Sequence, residues 1–304
     1  MRIILIGQAA FAEKTLDKLI GKGEEVLAVF CFPDAPGGKI DPVKQRALQL
    51  GIPVHQHKTL KTPEVTEQFV SLKADLAILA FVSQIIPPPV FSAPRFGSIC
   101  YHPSLLPKYR GRTAINWAII RGEAVTGLTI FWLDKGIDTG PILLQKEVQV
   151  APDDTTGTLY FNKLFPLGID AIGEAVDLIK AGNPPRIAQD ESKATYDPPC
   201  GDEHARIDWR KPAQEVYNLI RGCDPQPGAN TIYNGKMVRL FDARLQNGAN
   251  SAAAGRITAI GGEEIAIALN GGMLSVRRMR GEGGKISATE FAKQAELRVG
   301  AQLE

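Results

Sequence analysis

Between residues 2 and 150, short apolar runs rich in β-formers alternate with stretches of helical periodicity. The runs are RIILIG, EVLAVFCF, LAILAF, GSICYH, GLTIFWLD and PILLQKEVQV. A strand that is apolar throughout needs cover on both faces of its sheet, and the connection that supplies it is the βαβ unit. The alternation therefore predicts an α/β fold around a mostly parallel sheet. In such sheets ligands bind outside the carboxyl ends of the strands, so residues that leave a strand end are the first candidates for chemistry.

Further along, Phe165, Ile169, Ile172, Val176 and Ile179 recur at helical spacing with Gly182 in the stop position, which predicts a helix over 154–181. Pro166 lies within it and predicts a kink or two abutting helices. Residues 183–205 are rich in proline and charge with no sustained period, and read as a linker. From 206 to 304 the pattern changes. ARIDW reads as a strand, KPAQEVYNLIRG as an amphipathic helix, and TIYNGKMVRLFDARL as a hairpin turning at Asn234-Gly235. GRITAI, EIAIAL and MLSVRRM, separated by Gly-Gly pairs, suit a small β-barrel. The expected organisation is a catalytic domain over 1–182, the linker, and a barrel domain over 206–304.

A chain of 304 residues with 44% hydrophobic and 22% charged residues has ample core for two domains. Its formal net charge of +2 calls for neither nucleic acid nor an anionic membrane as partner. Four cysteines (Cys31, Cys100, Cys200, Cys223) without a C-x-x-C pair fit reduced thiols in a cytosol. MRIILIGQAAF reads as a first strand and turn rather than a signal peptide, and no apolar run approaches the roughly 20 residues of a membrane span. The expected location is cytoplasmic.

Three chemistries compete on the residues. IGQAAFA keeps only Gly7 of a dinucleotide fingerprint, with Ala9 and Ala12 at the other two glycine places, so no nicotinamide cofactor is expected. His55 and His57 share one face of a strand but lack a third ligand, so no metal is expected. The third joins His102, where GSICYH spills into PSLLPKYRG, to Asp134 and Asp138 of LDKGIDTG after another strand, with Gly136 and Gly140 expected to supply the φ-permissive positions of a loop. A carboxylate beside an imidazole sets a general acid–base pair. Ser104 and Cys100 offer a nucleophile next to the same histidine, but Ser104 lacks a nucleophile elbow and Cys100 lies within an apolar strand.

HPSLLPKYRG, DKGIDTG and DDTTGTLY, in that order, resemble the signature of the 10-formyltetrahydrofolate-dependent formyltransferases and hydrolases. The resemblance implies a Rossmann-like formyltransferase domain followed by a barrel of oligonucleotide-binding (OB) type, and 10-formyltetrahydrofolate as co-substrate. It implies His102 and Asp138 as the catalytic pair, with Cys100 standing where transferases of the family usually place an asparagine that donates to the oxyanion. It further implies a pterin held by Gln84, Ile85 and Ile86 on one side and by Asp134, Gly136, Ile137, Thr139 and Gly140 on the other, with Leu105 beside it. Ser104 and Arg110 are expected to contact substrate, Arg110 through its fork of donors. AINWAIIRGE, IFWLDKGIDTG and PDAPGGKIDP are most similar to the hydrolase domain of 10-formyltetrahydrofolate dehydrogenase, a branch that also lacks the asparagine; dehydrogenase chemistry is expected only where a further domain follows. Methionyl-tRNA formyltransferase shares the layout, and a sugar-amine N-formyltransferase uses the same pair. Residues 250–304 carry seven Lys and Arg against six Asp and Glu, which is a weak footprint for a polyanion. A nucleic-acid-binding OB module without catalysis leaves His102 and Asp138 unexplained. The acceptor, whether water, an amine or a tRNA, is not readable from these residues.

Overall fold

The computed structural model describes residues 1–82, 84–249 and 251–304. By internal contacts it divides into two compact units. One comprises Met1–Arg112, Gly127–Val148 and Asn162–Tyr196, the other Thr113–Thr126, Gln149–Phe161 and Asp197–Glu304.

The first unit is built on β1 (Arg2–Gly7), α1 (Ala9–Gly21), β2 (Glu25–Cys31), α2 (Pro42–Gln49), β3 (Val54–Gln56), α3 (Pro63–Ser71), β4 (Leu76–Ala80), α4 (Pro88–Phe91) and β5 (Ser98–His102). After α5 (Ala114–Ile120), which belongs to the second unit, come β6 (Val125–Trp132) and β7 (Ile142–Gln149). The sheet order is β3-β2-β1-β4-β5-β6-β7. It is parallel from β3 through β5, and β6 runs antiparallel to β5. The strands are buried almost end to end, as their unbroken apolar runs require: Ile3, Ile4, Leu5, Leu76, Ala77, Ile78 and Ile99 have no exposed surface. Strand β3 escapes the apolar-run criterion because it is three residues long and carries His55 and Gln56.

Over 154–181, where a helix kinked or split at Pro166 is expected, the chain makes α6 (Thr156–Leu159), a π-helical turn over Tyr160–Leu164, and α7 (Phe165–Lys180). The break falls beside Pro166, which lies in the first turn of α7 and has no N–H to continue the helical ladder from the turn before it. On one face of the sheet Phe11 of α1 packs against Tyr101 of β5 at 4.4 Å between ring centroids and against Phe165 of α7 at 5.4 Å.

The second unit contains α8 (Ala213–Gly222), β8 (Ala229–Tyr233), β9 (Lys236–Asn247), β10 (Ile257–Gly261), β11 (Glu264–Leu269), β12 (Gly272–Arg280), β13 (Ile286–Ser287) and α9 (Ala288–Gln294). The hairpin turns at Asn234 and Gly235, both at positive φ, as a two-residue type I′ turn demands. ARIDW is not a strand. Ala205, Ile207 and Trp209 are buried in alternation, but the segment's strand-like backbone pairing is an isolated bridge to Asn230 before the Asp208 carboxylate takes the Arg210 N–H into a turn. The antiparallel order β10-β11-β12-β9-β8 has two edges, and residues 300–304 bond to both. Glu304 exchanges both backbone bonds with Ile232 of β8, while Ile257 of β10 donates to Ala301 and accepts from Gly300. The last residues thereby bridge the two edges of the sheet, as in a small barrel-like domain.

Leu303 is 1% exposed inside that closure. Leu303→Ala is expected to cost about 3 kcal/mol, the usual loss for a buried leucine truncated to alanine. Thermal or urea unfolding of the variant against the parent chain checks it.

Candidate active site

Strand β5 alternates Ile99 and Tyr101 toward one face with Cys100 and His102 toward the other, and ends at His102 because Pro103 follows. The His102 side chain is 7% exposed. Its Nε2 lies 2.8 Å from the Tyr109 carbonyl oxygen, an acceptor only, so Nε2 carries the proton and donates. The other ring nitrogen, Nδ1, faces Asp138 Oδ2 at 3.5 Å. The same Oδ2 accepts a hydrogen bond from the Gly111 N–H at 2.8 Å. Tyr109 and Gly111, which fix one face of the pair each, carry no signal of this role in the sequence.

The loop 133–140 is arranged differently from the expectation. Gly136 and Gly140 are not left-handed; Asp138 is, at φ 56°, a conformation that Asp and Asn tolerate better than other side chains. The glycines serve close approach instead. A Cβ on Gly140 falls 1.7 Å from the Trp132 carbonyl oxygen, and one on Gly136 falls 2.0 Å from Thr139 Oγ1. Asp134 Oδ1 accepts from the Gly136 N–H and the Thr139 hydroxyl, so Asp134 and Thr139 are engaged in shaping the loop.

Two residues expected to contact substrate are engaged by other groups of this chain. Ser104 has no exposed surface, and its hydroxyl donates to the Lys108 carbonyl at 2.6 Å, closing the SLLP turn. The Arg110 side chain is likewise 0% exposed, and its five N–H groups are taken by Gln189, both oxygens of Glu191 and the Tyr196 hydroxyl. A buried guanidinium needs such partners, and here other residues of the same chain supply them.

Of the residues expected around a pterin, Ile85 and Ile137 are 61% and 55% exposed, Ile86 is buried, and Leu105 packs over Gly127 of β6. Gln84 Oε1 accepts from the Leu60 N–H at 3.3 Å. Gln84 also lines a shallow pocket at the carboxyl ends of β1, β2 and β4, with Gly7, Gln8, Phe32, His57 and Phe81. That pocket takes no lining from His102 or Asp138. His55 and His57 are both tied to Gln68, whose amide nitrogen donates to His55 Nδ1 at 2.8 Å and whose oxygen lies 3.0 Å from His57 Nε2.

Cys100 is half-buried, and its Sγ lies 3.5 Å from the Tyr101 carbonyl oxygen. Burial first, and then the Asp138 carboxylate, push its thiol well above the ordinary cysteine range, so it stands as S–H, a weak donor. Removing the carboxylate charge removes one of the two causes and lowers the thiol pKa. Alkylation of Cys100 by iodoacetamide near pH ~8.5 is therefore expected to be slow in the parent chain and faster in Asp138→Asn, read by peptide mapping of the labelled protein.

The two sheets define the class: a Rossmann-like α/β domain of formyltransferase type with a small barrel-like domain after it. Residues 1–166 match the model of the formyl transferase family, and residues 201–296 match the formyl transferase C-terminal domain. The chain belongs to the formyl transferase family. It is 39% identical over 311 residues to the cytosolic 10-formyltetrahydrofolate dehydrogenase of Xenopus laevis, covering 97% of this chain and 34% of that protein. The chain thus spans about a third of the dehydrogenases it resembles. It is also 39% identical over 308 residues to the methionyl-tRNA formyltransferase of Trichlorobacter lovleyi, covering 99% of this chain and 96% of that one. Among solved structures, HypX from Aquifex aeolicus in complex with tetrahydrofolic acid shares the fold at a TM-score of 0.73 and 20% identity over 98% of this chain and 48% of its own.

Proposed function

We propose that this chain removes the formyl group of 10-formyltetrahydrofolate and that water is the acceptor it favours, giving tetrahydrofolate and formate. The observation that carries the first half is the His102–Asp138 pair at 3.5 Å, facing out of the carboxyl end of β5 within a chain of the formyl transferase family. Water attacks the formyl carbon and loses a proton to Asp138, directly or through a second water. The oxygen gains negative charge as the carbonyl π bond opens, and His102 Nδ1–H donates to it. Because Nε2 is held by Tyr109, Nδ1 is the only ring nitrogen that can do this, and the ring carries both protons when it does. The bond from carbon to folate N10 then breaks as the protonated Asp138 returns its proton to N10, directly or through the same water, and formate departs.

The feature that supports water as acceptor is Asp41. Both its oxygens accept from the Ala9 N–H at 3.0 Å, placing a carboxylate at the N-terminus of α1. A helix N-terminus after the first strand is the ordinary seat of a substrate phosphate, and here an internal anion repels one. The similarity to the hydrolase-bearing dehydrogenases points the same way. A second reading, methionyl-tRNA formyltransferase, is favoured by the match across 96% of such an enzyme.

The test is the rate of tetrahydrofolate release with no acceptor, with methionyl-tRNA, and with a nucleotide-linked amino sugar. The proposal expects a rate with water alone that neither addition raises. Release that waits for methionyl-tRNA supports the second reading and rejects the first.

A further inference from the structure

Resting on that reading of the pair, we infer that Gln189 is a positioning residue for Asp138, held in place by Arg110. Nothing in the order of residues near Gln189 marks it: it lies in the proline- and charge-rich stretch expected to be a linker. In the structure residues 185–196 form a strap across the strand ends of the first unit. The Pro185 carbonyl accepts the Trp132 indole N–H at 2.9 Å, Ile187 exchanges two backbone bonds with Ile142, and the Arg186 guanidinium lies 3.8 Å over the Trp132 ring. At the other end Thr195 Oγ1 accepts the Tyr109 N–H at 2.7 Å, and the Arg110 N–H donates to the Thr195 carbonyl at 3.0 Å. The strap is therefore tied at one end to β6 and β7 and at the other to the turn after His102.

Gln189 sits between these ties and reaches inward. Its Nε2 donates to the backbone carbonyls of Asp138 at 2.9 Å and Gly140 at 2.7 Å. Its Oε1 accepts from Arg110 Nε at 3.1 Å and Nη2 at 2.7 Å. All of the amide's directional capacity is thus spent: two donors clamp the loop on either side of Thr139, and the acceptor is fixed by a guanidinium with no exposed surface.

The clamp answers a need of the site. Asp138 is left-handed, which costs about 1–3 kcal/mol unless the surroundings hold it, and it lies in a loop whose neighbours Gly136 and Ile137 are exposed. Its carboxylate works only where Gly111 and His102 meet it. The Gln189 amide pins the backbone oxygen of that same residue, so the carboxylate's aim is set from the strap. The route from Arg110 also joins the two halves of the pair: Arg110 is the residue between Tyr109, whose carbonyl fixes His102, and Gly111, whose N–H fixes Asp138.

The test uses the full chain, the single variants Gln189→Glu, Gln189→Met and Asp138→Asn, and each Gln189 variant combined with Asp138→Asn. Gln189→Glu keeps an oxygen for Arg110 and so keeps the strap, but turns a carboxylate oxygen toward the Asp138 and Gly140 carbonyls. Gln189→Met removes the clamp without adding charge. Both are expected to lower kcat for tetrahydrofolate release about 10–100-fold, the scale of a misaimed catalytic group, with KM for 10-formyltetrahydrofolate changed less than about threefold. In an Asp138→Asn background neither is expected to lower the rate further, because the clamp acts through a carboxylate already gone. Wild-type kcat in both Gln189 variants, with Asp138→Asn inactive, overturns the clamp and leaves the pair standing. So does a loss that adds in full on Asp138→Asn. An Asp138→Asn enzyme at the wild-type rate overturns pair and clamp together.

Discussion

Asp138→Asn lowers the rate of tetrahydrofolate release by about 10³-fold while the chain stays folded and still binds folate. The magnitude is that of removing a positioned general acid or base, about 10²–10⁴. The fold survives because asparagine shares the tolerance of aspartate for φ 56° and keeps an oxygen for the Gly111 N–H. Only the charge and the proton acceptor are lost. His102→Ala is expected to lose a similar factor, and the double variant little more than either alone, since the two act on one proton transfer. The steady-state rate, a melting curve and folate binding followed by fluorescence separate this result from unfolding. Loss of melting temperature in step with activity would show the carboxylate to be structural.

Gly140→Ala is the second large effect and works by geometry instead of charge. The new Cβ falls 1.7 Å from the Trp132 carbonyl oxygen and 3.4 Å from the Asp134 nitrogen, so it meets backbone that is locked into β6. Backbone cannot swing aside as a side chain does. The loop must move, and Asp138 two residues earlier moves with it. A shift of about 1 Å at a catalytic group costs about 10² in rate, and the overpacking costs about 1–3 kcal/mol of stability. Gly136→Ala is the internal comparison. Its Cβ meets Thr139 Oγ1 at 2.0 Å, the end of a side chain that turns away at the cost of its bond to Asp134. The expected order of activity is parent, then Gly136→Ala, then Gly140→Ala, measured as kcat with melting curves alongside. Equal activity for the two alanines would contradict the steric account.

These effects arise from features of unequal legibility. The sheet was readable because strands buried on both faces are apolar without interruption, and the barrel because its strands alternate between Gly-Gly breaks. His102 stands out as a polar residue at the mouth of such a strand, while the choice of Asp138 over Asp134 comes from the resemblance to the formyltransferases. The remaining parts of the site leave no such mark. Tyr109 and Gly111 act through backbone atoms, which every residue type possesses. Gln189 acts across about fifty residues of sequence, and its segment bonds to the sheet through isolated bridges too short to show a period. Arg110 shows a different limit: an arginine beside a site reads as a ligand fork, but that its donors meet Gln189, Glu191 and Tyr196 depends on a strap that no local pattern announces. In the same way Gly136 and Gly140 read as turn formers, whereas the space beside them is what excludes a side chain. Residues 300–304 were outside any predicted strand because their pairing is with two strands distant in sequence.

The most direct measurement is the stoichiometry of an acceptor-free reaction. Purified protein is mixed with 10-formyltetrahydrofolate alone, formate and tetrahydrofolate are counted together, and His102→Ala is run in parallel. The account predicts formate and tetrahydrofolate in equal amounts over many turnovers, and neither above background with His102→Ala. No formate from the parent chain, or the same formate from His102→Ala, would contradict it.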